Sequence, residues 1–216
     1  MAKNLLIVGG PGAGKGTQAQ FIVEKYGVAH ISTGDMFREA IANETPTGLI
    51  AKGYISKGAL VPDEVTVALV KDRIQQKDCE KGFLLDGFPR TLVQAEALDA
   101  MLKELGKKVD KVIEIDVADD VLVSRISGRL ICPKCGASFH AVNHKPKKEG
   151  ICDECGSALT QRKDDTPETA VNRIAVYHNQ TEPILGYYAK QGLVLKVDGI
   201  GTIDEIFSRI EQGIGA

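Results

Sequence analysis

No stretch of the 216-residue chain reaches 18 consecutive apolar residues, so no membrane-spanning helix is expected. The N-terminal segment has one lysine and a short apolar run, Leu5-Leu6-Ile7-Val8, before Gly9. That run is too short for a signal-peptide core, and a cytoplasmic protein is expected. Charge of one sign is also missing: 27 Lys+Arg against 29 Asp+Glu leave a formal charge of −2, which gives no electrostatic reason to expect a nucleic-acid or membrane-surface binder. There is no internal repeat and no low-complexity tract, which excludes solenoid, fibrous and disordered chains. Cysteine is scarce, with five residues, and a cytoplasmic setting argues against disulfides. Four of the five are paired by spacing and ask for another explanation. What remains, 43% hydrophobic and 26% charged residues with 23 Gly, describes a soluble globular protein with backbone-tight sites. The length predicts one or two domains, the second small, with a core that needs no disulfide staples.

Periodicity alternates buried strands with amphipathic helices. Residues 3–9 read as a central parallel strand, 16–26 as a helix closed by Gly27, and 30–32 as a short strand. Thr33 can cap a helix to about Asn43, and Thr47 and Pro62 mark two further helix starts. Strands at 82–86 and 111–117 flank a helix at 91–105, and a last strand at 193–198 precedes a helix at 203–212. From Pro167 a helical pattern runs to Tyr188, bent or broken at Pro183. The alternation implies a parallel sheet. Between Gly128 and Asp165 the composition shifts to four Cys, two His, many Lys and few aliphatics, which marks a separate insert.

Two patterns carry chemistry. Gly9-Gly10-Pro11-Gly12-Ala13-Gly14-Lys15-Gly16-Thr17 is a phosphate loop, placed after a buried strand and before a helix. Its backbone N–H groups can cradle phosphate oxygens at a helix N-terminus, and Lys15 adds a full charge that follows the transferred phosphoryl group. Gly16 stands where Ser or Thr is usual, with Thr17 one place later, so magnesium ligation by that hydroxyl is not assumed. The second pattern is Cys132-Pro-Lys-Cys135 and Cys152-Asp-Glu-Cys155, separated by 16 residues, the spacing of a zinc ribbon. Four thiolates make a closed tetrahedral site, hence a structural Zn2+. His140 and His144 could each replace a thiolate, but the complete set makes them ordinary loop histidines. Cys79 reads as a small apolar residue.

Through GGPGAGKGT, STGDMFR, LVPDE, LLDGFPRT, SRISGR and QRKDD, in order along nearly the whole chain, the sequence resembles the adenylate kinase family. The resemblance implies reversible phosphoryl transfer, MgATP + AMP to 2 ADP, by a monomer with ATP, AMP and ADP as its partners. It implies an α/β fold, a P-loop NTPase-type parallel five-stranded sheet of order 2-3-1-4-5 flanked by helices. To this it adds a helical NMP-binding insert and a zinc-ribbon lid. The core is expected at 1–31, 62–127 and 166–216, the AMP-binding insert at 32–61 and the lid at 128–165.

By the same resemblance Gly12, Ala13, Gly14, Lys15, Gly16, Thr17, Arg129, Ser138, Phe139 and Gly201 bind ATP. Thr33, Arg38, Ala59, Leu60, Val61, Gly87, Phe88, Pro89, Arg90 and Gln94 line the AMP site, with Arg162 and Arg173 reaching AMP-side phosphates on closure. Gln94 can read the adenine edge because its amide offers a donor and an acceptor. The catalytic set is Lys15, Arg90, Arg125, Arg129, Arg162 and Arg173. Only eight of the 27 basic residues are Arg, yet six fall in or beside these motifs and the insert. Arg suits a phosphate clamp because its fork binds oxyanions bidentately. Arg125 and Arg129, at i and i+4, are expected on one helix face. Asp86 ends an apolar strand and is expected to hold Mg2+ through water, with Asp35 and Asp116 as weaker candidates. No general base is needed, because the accepting phosphate oxygen is already anionic. A UMP/CMP-type kinase is the nearest rival. A zinc-ribbon nucleic-acid-binding nucleotide switch would leave TGDMFR and DGFPRT unexplained.

Overall fold

The computed structural model describes residues 3–162 and 164–215. Among these, β1 (Lys3–Val8), β2 (Ala29–Ser32), β3 (Gly82–Asp86), β4 (Lys111–Asp116) and β7 (Val194–Asp198) form one sheet, and β5 (Arg129–Ile131) pairs antiparallel with β6 (Ser138–His140) in a separate ribbon. The large sheet has the order β2-β3-β1-β4-β7, all parallel, with Leu5 opposite Leu84 and Ile7 opposite Ile113 in β4. Numbering the core strands alone, this is the expected 2-3-1-4-5.

Side chains alternate across β1, and both faces are buried. Leu5 and Ile7 point into a core completed by α1 (Lys15–Tyr26), α6 (Asp119–Ser127), α7 (Pro167–Val176) and α9 (Ile203–Gly215). Leu6 and Val8 point into the opposite core with α4 (Asp63–Ile74), α5 (Leu92–Glu104) and α8 (Pro183–Ala189). Ile206, Ile210 and Ile214 show how α9 makes its contribution: the four-residue spacing aligns them on one buried stripe. Two smaller clusters lie outside the sheet. Phe37, Ala51 and Val61 join α2 (Thr33–Ala42) to α3 (Pro46–Ile55), and Cys132, Phe139 and Cys152 centre the ribbon.

Several local expectations need correction. Ser32, not Thr33, caps α2, its Oγ accepting from the Asp35 N–H, because Thr33 is already helical and turns its hydroxyl to the Gly87 carbonyl at 2.7 Å. The next helix starts at Pro46, one residue before the start expected at Thr47; Thr45 caps it by accepting from the Gly48 N–H. The long C-terminal pattern does not break at Pro183. It loosens earlier, into a π-turn at Tyr177–Thr181, and Pro183 sits in the first turn of α8, where its missing N–H costs nothing. Among the described residues no helix is long and apolar enough to cross a membrane.

Candidate functional site

In a parallel sheet whose chain leaves β1 first toward β2 and later crosses back to β4, ligands collect at the C-terminal strand ends beside that switch. Here β1 runs straight into the glycine loop, and α1 begins at Lys15. Gly12 has φ +86°, and a Cβ there would lie 2.9 Å from Ile126 Cγ1, so only glycine lets the loop press against α6. Lys15 Nζ donates to the carbonyls of Gly9 (2.7 Å) and Gly10 (2.8 Å), folded back over the loop. Burial pulls its pKa down to about 8, with Asp86 opposing and the Arg90, Arg173 and Arg129 charges adding to the shift.

Asp86 closes β3 beside this loop. Its Oδ2 lies 3.7 Å from His30 Nε2 and 3.9 Å from where a Gly16 Cβ would stand. Burial alone would raise its pKa, but His30, Lys15 and Arg90 more than offset this and hold the carboxylate ionised. An ionised carboxylate below a phosphate loop suits a water-held Mg2+. The weaker candidates are engaged elsewhere: Asp35 pairs with Arg38, and Asp116 with Lys196 at 2.8 Å.

A cleft of about 600 Å³ brings together Thr33, Arg38, Ala59, Leu60, Val61, Gly87, Arg90, Gln94 and Arg173, nine of the residues expected to hold or reach AMP. It adds residues that were not foreseen, among them Phe37, Ile55, Gly58, Thr66 and Asp164; Phe37 and Asp164 stand inside the quoted TGDMFR and QRKDD motifs. Phe88 does not line the cleft with its ring, which is 1% exposed and packs in the sheet core. Gln94 is also buried: its Oε1 accepts from the Arg90 N–H (2.8 Å) and its Nε2 donates to Asp63 Oδ1 (2.7 Å). One lone pair and one N–H therefore remain on the amide for a base edge. Asp63 was missed, although it lies in the LVPDE motif.

A second cleft of about 550 Å³ holds Gly9, Lys15, Pro89 and Tyr177, and it shares Gly58, Leu60, Gly87, Arg90 and Arg173 with the first. Arg90 and Arg173 thus stand between the phosphate loop and the neighbouring cleft. Arg90 is pinned by its Nε to the Gly87 carbonyl (2.8 Å), and burial with the nearby Arg173 charge lowers its pKa to about 10. Arg162 is likewise lowered to about 10, by burial and by the Arg38 and Arg129 charges. Arg129 Nε donates to Asp165 Oδ2 (2.8 Å), and Arg173 Nη1 donates to Asp165 Oδ1 (2.9 Å) and to the Asp164 carbonyl (3.0 Å). Arg90, Arg162 and Arg173, each lowered by burial and then by neighbouring guanidinium charge, form a region primed for a polyanion.

Arg125 and Arg129 do not share a helix face. The helix ends at Ser127, Gly128 caps it, and Arg129 opens β5. Arg125 instead reaches the Ala13 carbonyl (3.4 Å) and, through Nη2, the Gly199 carbonyl (2.9 Å). It ties the phosphate loop to the turn that contains Gly201.

The ribbon is organised around sulfur. The four Sγ atoms of Cys132, Cys135, Cys152 and Cys155 all lie within 4.8 Å of one another. Cys132 and Cys155 are 3.4 Å apart and Cys135 and Cys152 3.5 Å, well beyond the roughly 2.05 Å of a disulfide. They are close to the roughly 3.8 Å expected between thiolates bound tetrahedrally at 2.3 Å, so the set fits Zn2+. Two equal knuckles shape it: Gly136 N–H donates to the Cys132 carbonyl and Gly156 N–H to the Cys152 carbonyl. His140 Nδ1 accepts from Val142 and Asn143 N–H, and His144 stacks on Phe139, so neither joins the sulfur set. Phe139 is itself only 6% exposed within this cluster, while Ser138 beside it is half-buried.

A P-loop at the end of β1 in this parallel sheet, with two adjoining clefts on one chain, fits the nucleoside monophosphate kinase class of phosphotransferases. Residues 7–193 match the family model described as adenylate kinase. The chain is 57% identical over 210 residues to an adenylate kinase of Enterococcus faecalis, covering 97% of each chain. It is 55% identical over 210 residues to one of Carboxydothermus hydrogenoformans (97% of this chain, 98% of the relative), and 51% identical over 213 residues to one of Clostridium tetani (99% of each). The chain belongs to the adenylate kinase family.

Proposed function

We propose that this chain catalyses MgATP + AMP ⇌ 2 ADP. The observation that carries the reading is that two clefts, one opening on the phosphate loop and one on Thr33, Arg38 and Gln94, share Arg90 and Arg173 as a common wall. A phosphoryl group passing from one nucleotide to the other must cross between them, and its equatorial oxygens carry the charge that such groups neutralise. In this reading Gly12 to Thr17 hold the donor phosphates. Lys15 leaves the Gly9 and Gly10 carbonyls to follow the transferred group, and Arg38 and Arg90 hold the acceptor phosphate. Gln94 addresses the adenine of AMP with its free lone pair and N–H. Because one chain carries both clefts, a monomer suffices.

Arg129 is proposed to exchange Asp165, and Arg173 to exchange Asp164 and Asp165, for phosphate oxygens, with Arg162 joining them, as the segments 32–61 and 128–165 close, which excludes water and strengthens each charge contact. Asp86 would hold Mg2+ through water, and the ion supplies charge neutralisation on the phosphates. Cys132, Cys135, Cys152 and Cys155 would hold Zn2+ as a structural ion that organises the ribbon.

The deciding experiment is a coupled assay of purified protein with ATP and each of AMP, CMP, UMP and GMP. ADP formation with a strong preference for AMP is expected. Equal turnover of CMP or UMP would move the assignment to a pyrimidine nucleotide kinase, and no ADP with any acceptor would sink it.

A further inference from the structure

Three successive carbonyls in the turn after β7 are taken by guanidinium groups from two directions. Arg209, two turns into α9, donates from Nη1 to the carbonyls of Asp198 (2.8 Å) and Ile200 (2.7 Å). The carbonyl between them, on Gly199, accepts from Arg125 Nη2 at 2.9 Å. Alternate groups of an extended backbone face opposite ways, so a donor that takes residues i and i+2 leaves i+1 to the other side. That other side is the one toward the phosphate loop, because the same Arg125 also reaches the Ala13 carbonyl.

The rest of the turn is equally determined. Ile200 N–H donates to Asp198 Oδ1 (2.9 Å). Thr202 and Glu205 close a reciprocal capping box, Thr202 N–H to Glu205 Oε2 (2.8 Å) and Glu205 N–H to Thr202 Oγ1 (3.3 Å). Gly201, between Ile200 and Thr202, has φ +129°, a conformation open to glycine. Ile200 is left 46% exposed, an apolar side chain displayed on a rigid polar turn tied to the phosphate loop.

We propose that Arg209 is a positioning residue for recognition of the donor nucleotide's base. It holds the turn from behind in one shape, so that the turn's free backbone groups and the Ile200 side chain meet the base of a nucleoside triphosphate whose phosphates lie on the glycine loop. This rests on the kinase reading above. The turn is solvent-exposed, so carbonyls released by an Arg209 substitution pass to water at little cost. The fold is therefore expected to survive the change, while the single shape of the turn is lost.

The test compares wild type with Arg209→Ala and Arg209→Lys, by calorimetric binding of ATP and GTP and by steady-state kinetics. For Arg209→Ala, ATP affinity should fall about tenfold, equivalent to about 1.4 kcal/mol, and the preference for ATP over GTP should shrink with it. The loss should appear in KM for ATP, not in kcat or in KM for AMP, and Arg209→Lys should recover part of it because an ammonium can still reach one carbonyl. Unchanged ATP affinity and base preference would overturn the proposal. So would an equal loss for ATP and AMP accompanied by a lower melting temperature, which is the mark of a merely structural residue. A wild type that binds ATP but makes no ADP would defeat the kinase reading and leave the binding comparison standing; one that binds neither triphosphate would defeat both.

Discussion

Replacing Asp165 by Asn should be among the most damaging single-atom changes in this chain. The Asp165 side chain has no exposed surface and accepts from both Arg129 and Arg173, which are themselves only 17% and 19% exposed. The amide keeps the shape but presents an N–H₂ group where a guanidinium expects an acceptor, and it removes a negative charge that the two arginines share. Breaking a buried pair on one side costs about 3–5 kcal/mol. Arg173 retains Asp164 at 3.1 Å, and both guanidiniums keep some water, so the lower part of that range or slightly below applies, about 2–3 kcal/mol. At about 2–4 °C per kcal/mol for a chain of this size, the ligand-free melting temperature should fall by about 5–10 °C. The assay is thermal unfolding with and without ATP plus AMP. Nucleotide phosphates supply the missing charge, so the variant should gain more from ligands than the wild type does. A ligand-free midpoint within about 2 °C of wild type would refute the reasoning, because it would mean that the two arginines lose nothing by losing the carboxylate.

Lys15 should couple ATP binding to proton uptake. In the free protein it deprotonates near pH 8, far below the 10.5 of an exposed lysine, whereas against phosphate it must stay charged. ATP affinity should therefore be flat below about pH 7 and fall above about pH 8, and calorimetry in buffers of different ionisation enthalpy should detect uptake only in the alkaline range. Cys152→Ser, or removal of metal by a chelator, should lower the melting temperature and hydrogen-exchange protection across 131–159 while leaving a sheet core that still binds AMP. About one zinc per chain should be found by metal analysis, and its absence from protein prepared without chelators would contradict the four-thiolate reading. Gln94→Leu should weaken AMP binding by about tenfold to a hundredfold and reduce discrimination against other monophosphates, because a buried hydrogen-bonding edge is lost. An unchanged preference for AMP would assign base reading to another group.

What could be read from the chain alone is whatever depends on local spacing. The apolar runs of β1 and β3 and the stripes of α5 and α9 are set by periodicity, since a strand or helix buries the residues its repeat brings to one side. The phosphate loop and the two cysteine pairs are likewise short-range patterns whose chemistry needs little beyond their own neighbours. Local spacing failed where a long-range contact decided the outcome. Thr33 looked like a cap but sits under the Gly87 carbonyl, supplied by a strand end 54 residues later. Arg129 looked like a helix neighbour of Arg125, but its carboxylate partner is 36 residues further on and its strand partner is β6. Phe88 stands in a binding motif, yet its ring packs in the sheet core through contacts that no local spacing encodes.

The convergence itself was settled only in three dimensions. Asp63 meets Gln94, Asp165 meets Arg129 and Arg173, and Arg209 meets the turn after β7, each through side chains whose contacts cross between elements. No repeat in the sequence encodes such a pairing. It follows from the order of strands in the sheet, which brings the ends of β1, β3, β4 and β7 to one edge and places the loops that leave them side by side.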